Sequence, residues 1–360
     1  MLEAAVAGSG AGRAHRAGSL TMRVLLVKMS SLGDLVHTLP AITDAAAEGA
    51  VFDWVVEEAF AAIPEKHPAV QQVLPIAWRR WRRNLLDCRG ELSAVFDSLR
   101  DRRYDRVIDA QGLWKSSVVA AAAKGEQTWG FDRASAREGA STFLYRNHVA
   151  VATGQHAIDR QRQLFAGIFG YSLPDTPLKS GIETNRSTPI QTENRTCILC
   201  HGTTWPSKHW PEPMWQDMSR LLQSRGYRVL VPAGNDSERQ RAMRIADVSG
   251  AEVLPVMSLG LLMETLENAA LVVGVDSGLS HLAAALGTAT VTVYGSTDAA
   301  LTGCRGQRAI NLQADFACSP CRLRNCNYAG AAQPWGDTMV TPACFSRITP
   351  DQVMQTIEAL

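Results

Sequence analysis

The chain has 360 residues, of which 46% are apolar and 20% are charged, and its formal net charge at pH 7 is +1. This composition is typical of a folded globular protein, and the length is sufficient for two domains of ordinary size. The near-neutral charge argues against broad binding of nucleic acid, so an anionic partner must be met by local basic patches. No apolar run approaches the roughly 18 residues of a membrane-spanning helix.

The first 21 residues are rich in Ala, Gly, Arg and Ser and lack the continuous apolar core of a signal peptide. Met22 directly precedes the first strand pattern. We therefore expect residues 1–21 to be a disordered extension or the product of a misplaced start codon. Without an export signal, the protein is expected in the cytoplasm.

The most informative stretch is residues 23–40. Four apolar residues, 24–27, predict a strand buried on both faces, and a helix pattern begins at Asp34 after a short turn-prone loop. Such a loop lies at the carboxyl edge of a parallel sheet, where open α/β folds bind ligands. It contains neither of the glycine-rich phosphate motifs. Because a carboxylate repels phosphate, Asp34 is more suited to handling a proton or a hydroxyl.

Strands alternate with helices along the rest of the chain, which predicts an α/β protein. We predict a Rossmann-like domain at 22–178, a linker at 179–190 in a proline-containing polar stretch, and a second Rossmann-like domain at 191–360. The two parallel sheets would face a central cleft. Strands are predicted at 23–28, 52–56, 72–76, 105–109, 196–200, 227–232, 251–255, 270–275 and 289–294. Helices are predicted at 34–48, 91–103, 114–124, 155–170, 212–225, 236–247, 261–268, 278–286 and 351–360.

A basic segment follows the third predicted strand. Arg79, Arg80, Arg82 and Arg83 fall within six residues and are interleaved with tryptophans. A solvated charged face is the usual explanation of such a run, but its place at a sheet edge favours contact with phosphate, carboxylate or anionic lipid. Lys115 follows the next strand and adds a basic group to the same edge.

The second domain opens with a loop that carries hydroxyls at Thr203 and Thr204 and a point charge at Lys208. This pattern suits a phosphate, although an ordinary surface loop would look similar. Glu238, at the start of a later helix, could accept hydrogen bonds from ribose hydroxyls or could only favour the helix dipole.

The strand that ends at residue 275 turns directly into an Ala/Leu-rich helix. Free N–H groups at such a helix start form an anion site, yet Asp276 and Ser277 could equally be a plain N-cap. Gly278 begins the helix, and His281 lies one turn inside it.

The chain contains eight cysteines. Cys318, Cys321, Cys326 and Cys344 could form a structural zinc site, but the second pair lacks C-x-x-C spacing and reduced surface thiols are the favoured interpretation.

Taken together, these segments resemble the ADP-heptose:lipopolysaccharide heptosyltransferases, glycosyltransferase family 9, over about residues 22–330. The basic segment and the Asp-Ala-Gln-Gly-Leu sequence favour the type I enzymes over type II. Ser277 stands where Thr is commoner, and the segment from Cys318 to Cys344 resembles loops of other members. The resemblance is carried by residues 27–40, 52–58, 79–83, 107–116, 208–211 and 275–282.

The resemblance implies a GT-B fold and inverting transfer of heptose from ADP-heptose, a co-substrate, to the Kdo of Kdo2-lipid A, with no metal and no cofactor. Asp34 matches the proposed base, and Lys208 matches the lysine that faces the ADP phosphates. A peripheral location on the anionic cytoplasmic face of the inner membrane is implied, with no nucleic-acid partner. The implied donor-binding residues are Thr203, Thr204, Lys208, Glu238, Asp276, Ser277, Gly278 and His281, and the implied acceptor-binding residues are Arg79, Arg80, Arg82, Arg83 and Lys115.

Three alternatives remain at this point. One is heptosyltransferase II or a related ADP-sugar transferase with another acceptor, which acceptor specificity would distinguish. The second is a nucleotide-sugar epimerase or hydrolase, which would form product without an acceptor. The third is a non-catalytic binding protein, which would not need Asp34.

Overall fold

The computed structural model describes residues 21–83, 87–184 and 195–360. It contains two parallel six-stranded sheets with helices packed on them, and a short two-stranded hairpin near the C-terminus. The prediction of an α/β protein with two Rossmann-like domains is confirmed. The expected disordered extension, apart from residue 21, and half of the proposed linker (185–190) lie outside the described residues, so the domain boundaries stay predictions.

The first sheet and its helices come from the N-terminal half of the chain. Its strands are β1 (Met22–Val27), β2 (Ala50–Glu57), β3 (Val70–Ile76), β4 (Tyr104–Asp109), β5 (Gly125–Phe131) and β6 (Asn147–Val149). The helices are α1 (Leu32–Val36), α2 (Leu39–Ala47), α3 (Ala62–Glu65), α4 (Trp78–Trp81), α5 (Arg89–Asp101), α6 (Trp114–Ala122) and α7 (Ala157–Phe169), with 3₁₀ turns at Glu58–Phe60 and Gly139–Leu144.

The second sheet and its helices have a similar arrangement and come from the C-terminal half of the chain. Its strands are β7 (Thr196–Cys200), β8 (Arg228–Val231), β9 (Glu252–Val253), β10 (Leu271–Val275), β11 (Ala289–Tyr294) and β12 (Ala309–Gln313), and the hairpin is formed by β13 (Pro334–Trp335) and β14 (Thr338–Met339). The helices are α8 (Glu212–Ser224), α9 (Asp236–Ser249), α10 (Leu259–Asn268), α11 (Gly278–Ala285), α12 (Ala299–Thr302) and α13 (Pro350–Glu358), with 3₁₀ turns at Pro206–Lys208 and Ala343–Arg347.

The order of the strands in each sheet determines which loops lie at the binding edge. The first sheet runs β3-β2-β1-β4-β5-β6 and the second runs β12-β11-β10-β7-β8-β9, so both follow the doubly wound pattern. In each sheet the order reverses between the first and fourth strands, and open α/β folds bind ligands in the crevice at this point. The loops after β1 and β4, and after β7 and β10, are therefore the binding loops of this fold.

The strands at the centre of each sheet are buried because they are apolar throughout. Residues 24–27 of β1 and all of β10 and β11 are buried. β5, β6 and β12 were not predicted, because each is short or half-exposed and lacks the apolar run of a central strand.

The helix predicted at 34–48 is two helices. α1 ends at Val36, and α2 begins at Leu39 with Pro40 in its first turn. Proline has no N–H to bond the carbonyl one turn earlier, so a single helix cannot run through this position. The break matters for the site, because it makes His37 the C-cap residue that directly follows α1.

The two halves contact each other through α1 and α11. A Cβ on Gly278 would lie 2.7 Å from Cβ of Leu32, and one on Gly33 would lie 3.1 Å from the ring of His281. Both helices thus use a glycine where they approach. Polar contacts across the same interface include the Nε2 of His156 with the carbonyl of Gly303 at 2.9 Å.

Within the three described ranges, no helix combines the length and the apolar character that crossing a membrane would require.

We expect Gly278→Ala to lower the free energy of unfolding by about 1–3 kcal/mol, because the new methyl group would overlap Leu32 and push α1 from α11. The measurement is the urea midpoint. Gly90→Ala is the matched control, since nothing lies within 4 Å of its Cβ position in α5, and it should be neutral or stabilising. Equal effects of the two substitutions would contradict the tight interface.

Candidate functional site

The first half of the site is formed by the loops after β1 and β4, which are held together by one glutamine. The Oε1 of Gln111 accepts a hydrogen bond from the N–H of Met29 at 2.8 Å. The N–H of Gln111 in turn donates to Oδ1 of the buried Asp109 at 2.8 Å. The two loops at the reversal point of the first sheet are therefore joined into one edge.

Asp34 lies on this edge with its carboxylate partly open to solvent. Its Oδ2 accepts from the N–H and the hydroxyl of Ser31, both at 3.0 Å, and lies 3.5 Å from the guanidinium of Arg137. Burial opposes ionisation, but Lys28, Arg137 and the Ser31 N–H outweigh it and lower the pKa of Asp34 to about 2. The carboxylate is thus ionised at every physiological pH, and its side chain remains 26% exposed.

Lys28 lies beneath Asp34 and is buried. Its ammonium donates to the carbonyl of Ala110 at 2.9 Å. Burial lowers the pKa of Lys28 to about 8, although the Asp34 carboxylate acts in the opposite direction. The sequence analysis did not single out Lys28 or Arg137. A lysine directly after a buried strand was an available signal for the former, whereas Arg137 follows no recognisable pattern.

The second half of the site centres on Asp276, which directly follows β10 and is buried. Its Oδ2 lies 2.7 Å from the ammonium of Lys208, and its Oδ1 lies 3.2 Å from Nε2 of His281. Burial would raise the pKa of Asp276, but His281 and Lys208 outweigh it and hold that pKa well below its ordinary value. The hydroxyl of Thr203 donates to the main-chain carbonyl of Asp276 at 3.2 Å.

The predicted anion-binding helix start is α11. Ser277 is its N-cap, with its side chain accepting from the N–H of Ser280 at 3.4 Å. The plain N-cap interpretation of Ser277 therefore holds, and the remaining N–H groups of the first turn still face the carboxyl edge of the sheet. The ammonium of Lys208 lies 4.9 Å from the centre of the Trp205 ring.

Glu238 lies beside the same loop. Its Oε2 accepts from the N–H of Gly234 at 2.8 Å, and a Cβ on Gly202 would come within 2.9 Å of its carboxyl carbon. The carboxylate of Glu238 thus packs against the loop that leads to Thr203 and Lys208. Thr204 is exposed on that loop.

The basic segment forms α4 and its C-terminal turn, with all four arginines exposed. Arg80 pairs with Glu58 at 3.3 Å and with Glu91 at 2.9 Å, and Arg79 lies over the Phe60 ring at 5.2 Å. Arg82 and Arg83 make no ion pair with another residue in the described ranges. The segment is therefore anchored at Arg79 and Arg80, and its last two cations are available to a partner.

Lys115 connects this segment to the edge that carries Asp34. Its ammonium lies 3.5 Å from the hydroxyl of Ser30. Burial lowers the pKa of Lys115, and Arg79 and Arg82 act in the same direction, whereas Glu57 raises it. Lys115 thus shares an electrostatic environment with Arg79 and Arg82.

The structure joins the two halves through His281, which the sequence pattern had indicated, and His37, which it had not. Nε2 of His37 lies 3.4 Å from Nδ1 of His281, and the two rings meet edge to face. Sγ of the buried Cys304 lies 3.3 Å from the same Nδ1. Burial disfavours a charged His281, but Cys304 and Asp276 outweigh it and raise the pKa of His281 to about 10.

The four clustered cysteines, Cys318, Cys321, Cys326 and Cys344, line one small cavity together with Ser207. Across residues 21–83, 87–184 and 195–360, no three His, Cys, Asp or Glu side chains form a group that could hold a metal ion. The zinc hypothesis thus finds no assembled ligand set. The loop still supports the donor side, since the hydroxyl of Ser207 donates to the carbonyl of Leu323 at 2.5 Å.

The comparisons with known proteins agree on one family. Residues 92–332 match the model of glycosyltransferase family 9 (heptosyltransferase). Lipopolysaccharide heptosyltransferase 1 of Pseudomonas aeruginosa is 43% identical over 347 residues, which is 94% of this chain and 98% of the relative.

Two solved structures of the Escherichia coli heptosyltransferase WaaC superimpose on the chain. The complex with ADP has a TM-score of 0.80 at 40% identity and covers 94% of this chain and 99% of its own. The complex with ADP-2-deoxy-2-fluoro heptose has a TM-score of 0.77 at 39% identity, with the same coverage. The two sheets therefore have the GT-B arrangement of these enzymes.

The buried Lys28 predicts a pH dependence of stability. The pKa of Lys28 in the folded state, about 8, lies below the ordinary value of 10.5. The free-energy cost of burying the charged ammonium is therefore fully present below pH 8 and disappears as the pH rises towards 10.5. Relative to Lys28→Met, the wild type should gain about 2 kcal/mol of unfolding free energy between pH 7.5 and 10. Urea titrations at both pH values measure this, with the exposed Lys124→Met as control. A constant difference would contradict the assignment.

Proposed function

The chain belongs to glycosyltransferase family 9, the heptosyltransferases, and we propose that it transfers L-glycero-D-manno-heptose from ADP-heptose to the Kdo of Kdo2-lipid A. It is a glycosyltransferase, and its similarity is to the type I enzymes that transfer heptose in lipopolysaccharide core synthesis. The identity of the acceptor, inversion at the anomeric carbon and independence of metal ions are parts of the proposal.

The observation that carries the proposal is the pairing of two unlike half-sites at one interface. The first half offers an ionised, partly exposed carboxylate at Asp34. The second half offers Lys208 and the start of α11, which are suited to a diphosphate. A carboxylate opposite an anion site fits a reaction in which a hydroxyl loses a proton while a phosphate leaves.

In the proposed reaction, the acceptor hydroxyl attacks the anomeric carbon on the face opposite to ADP. The new C–O bond forms as the bond to the phosphate oxygen breaks, which inverts the configuration, and ADP leaves with the bonding electrons. Asp34 takes the hydroxyl proton. A carboxylate with so low a pKa is a weak base, so the proton is transferred late, when bond formation has made the attacking oxygen acidic.

Negative charge grows on the diphosphate as the bond breaks. Lys208 and the N–H groups of α11 would stabilise this charge in a setting that excludes much of the water. Because these groups offer the positive charge that a divalent ion would otherwise supply, we propose that transfer needs no metal. Lys208 is paired with Asp276 at 2.7 Å, so the donor phosphates would compete with that carboxylate for the ammonium.

The proposed acceptor is an anionic lipid, and the exposed basic segment of residues 79–83 follows β3 at the sheet edge where the loop after β1 leads to Asp34. We propose that this segment receives the acceptor and brings the protein to the cytoplasmic surface of the inner membrane. Each cation near an anionic surface contributes about 1 kcal/mol, so the association would be peripheral and sensitive to salt.

The first test is heptose transfer from ADP-heptose to Kdo2-lipid A in the presence of EDTA. The wild type should form product with inverted configuration, and Asp34→Ala should lose at least about 100-fold in kcat, the scale of general-base assistance. The exposed Asp175→Asn is the matched control and should retain full activity. Transfer only to an acceptor that already carries one heptose would favour heptosyltransferase II instead, and product without any acceptor would indicate an epimerase or hydrolase.

The second test concerns the basic segment. The double variant Arg82→Ala/Arg83→Ala should bind vesicles containing phosphatidylglycerol about 30-fold more weakly than the wild type, because two cations of about 1 kcal/mol each are lost. Arg103→Ala/Arg239→Ala removes two exposed arginines elsewhere and serves as control. Equal weakening by both double variants would show that only net charge matters and would contradict a dedicated acceptor surface.

A further inference from the structure

His37 is a buried histidine to which the reaction described above gives no role. It is 5% exposed and lies at the C-terminal end of α1, the helix that carries Asp34. Its Nδ1 is buried and has no hydrogen-bond partner among the described residues. A buried polar atom without a partner lowers the stability of the folded state. The presence of His37 at this position therefore points to a role other than stabilising the fold.

The partner of the other ring nitrogen is on the opposite domain. Nε2 of His37 lies 3.4 Å from Nδ1 of His281 on α11. Nε2 of His281 faces the Asp276 carboxylate at 3.2 Å and therefore donates to it. Nδ1 of His281 faces both Nε2 of His37 and Sγ of Cys304, the latter at 3.3 Å, so a proton on this nitrogen is donated to His37, which then accepts at Nε2.

These contacts form one continuous chain across the cleft. Asp276 binds Lys208 on one side and His281 on the other, at 2.7 Å and 3.2 Å. His281 then contacts α1 twice, through the ring of His37 and through the backbone at Gly33, where a Cβ would lie only 3.1 Å from the imidazole. Gly33 is the neighbour of Asp34.

We propose that His37 is a positioning residue that couples occupancy of the donor site to the placement of Asp34. When a diphosphate draws Lys208 away, Asp276 loses one cation and binds His281 more tightly. The imidazole is then fixed against His37 and Gly33, which fixes α1 and its carboxylate. Donor binding thus prepares the proton acceptor Asp34 from the opposite domain. The reaction part of this inference rests on the proposed function.

Three variants test the coupling. His37→Ala removes the contact, and His37→Gln restores an acceptor, because its amide oxygen can take the place of Nε2. His67→Ala is the matched control, since His67 is also buried, at 3% exposure, but it binds Thr43 and the N–H of Ala69 away from the cleft. Each variant is assayed for kcat, for both KM values and for ADP affinity, below its unfolding temperature.

We expect His37→Ala to lower kcat by about 10- to 100-fold, the cost of a misplaced reacting group, while ADP affinity stays within about threefold of the wild type. His37→Gln should recover most of the loss, and His67→Ala should change stability without changing kcat. A kcat of His37→Ala close to that of the wild type, or a glutamine variant as impaired as alanine at equal stability, would overturn the inference.

A second measurement does not depend on heptose transfer. In histidine ¹⁵N NMR spectra of the full chain, addition of ADP should shift the ring signals of His37 as well as those of His281, and Lys208→Met should abolish the response at His37. If the wild type transfers no heptose but the response is present, the proposed function fails and the coupling stands. An unchanged His37 signal on ADP binding would overturn the coupling itself.

Discussion

The approach of α1 to α11 is the constraint on which the rest of the site depends. Each helix begins just after a central strand, at the point where its own sheet reverses order, and each carries one half of the chemistry. Leu32 packs where a side chain on Gly278 would be, and His281 packs where one on Gly33 would be. Because neither glycine has a side chain, the two sheet edges meet closely enough for polar groups of both domains to touch.

Each half of the site holds a carboxylate, partly exposed at Asp34 and buried at Asp276, and keeps it ionised by the same means. Lys28 and Arg137 outweigh burial at Asp34, and Lys208 and His281 do so at Asp276. Buried ion pairs are weak contributors to stability because desolvation offsets much of their attraction. Two such carboxylates at facing loops, one of them beside a lysine whose own pKa is lowered by burial, are typical of a functional site rather than of a stabilising network.

Different loops support the two halves of the site. Gln111 joins the loops of the first sheet, and the cysteine-rich segment supports the turn before Lys208 through Ser207. The basic segment of residues 79–83 follows β3, and Trp81 within it donates a hydrogen bond to Glu91 at 2.9 Å. The loops are thus joined by hydrogen bonds, whereas Arg82 and Arg83 are exposed to solvent.

The sequence by itself determined the doubly wound domains, because apolar runs such as residues 24–27 and 271–273 alternate with helix patterns, which is typical of central strands whose loops meet at one edge. It also selected Asp34, Lys208, Asp276 and His281, whose places directly after strands or at a helix start are local properties of the chain. The break between α1 and α2 could have been predicted from Pro40, whereas half-exposed β5, β6 and β12 lack any comparable signal. Only the tertiary structure decided that His37 meets His281, that Arg137 reaches Asp34 and that Lys28 is buried beneath it. Those contacts join residues far apart in the chain, and hydrophobic periodicity specifies which face of an element is buried but not which distant side chain it meets.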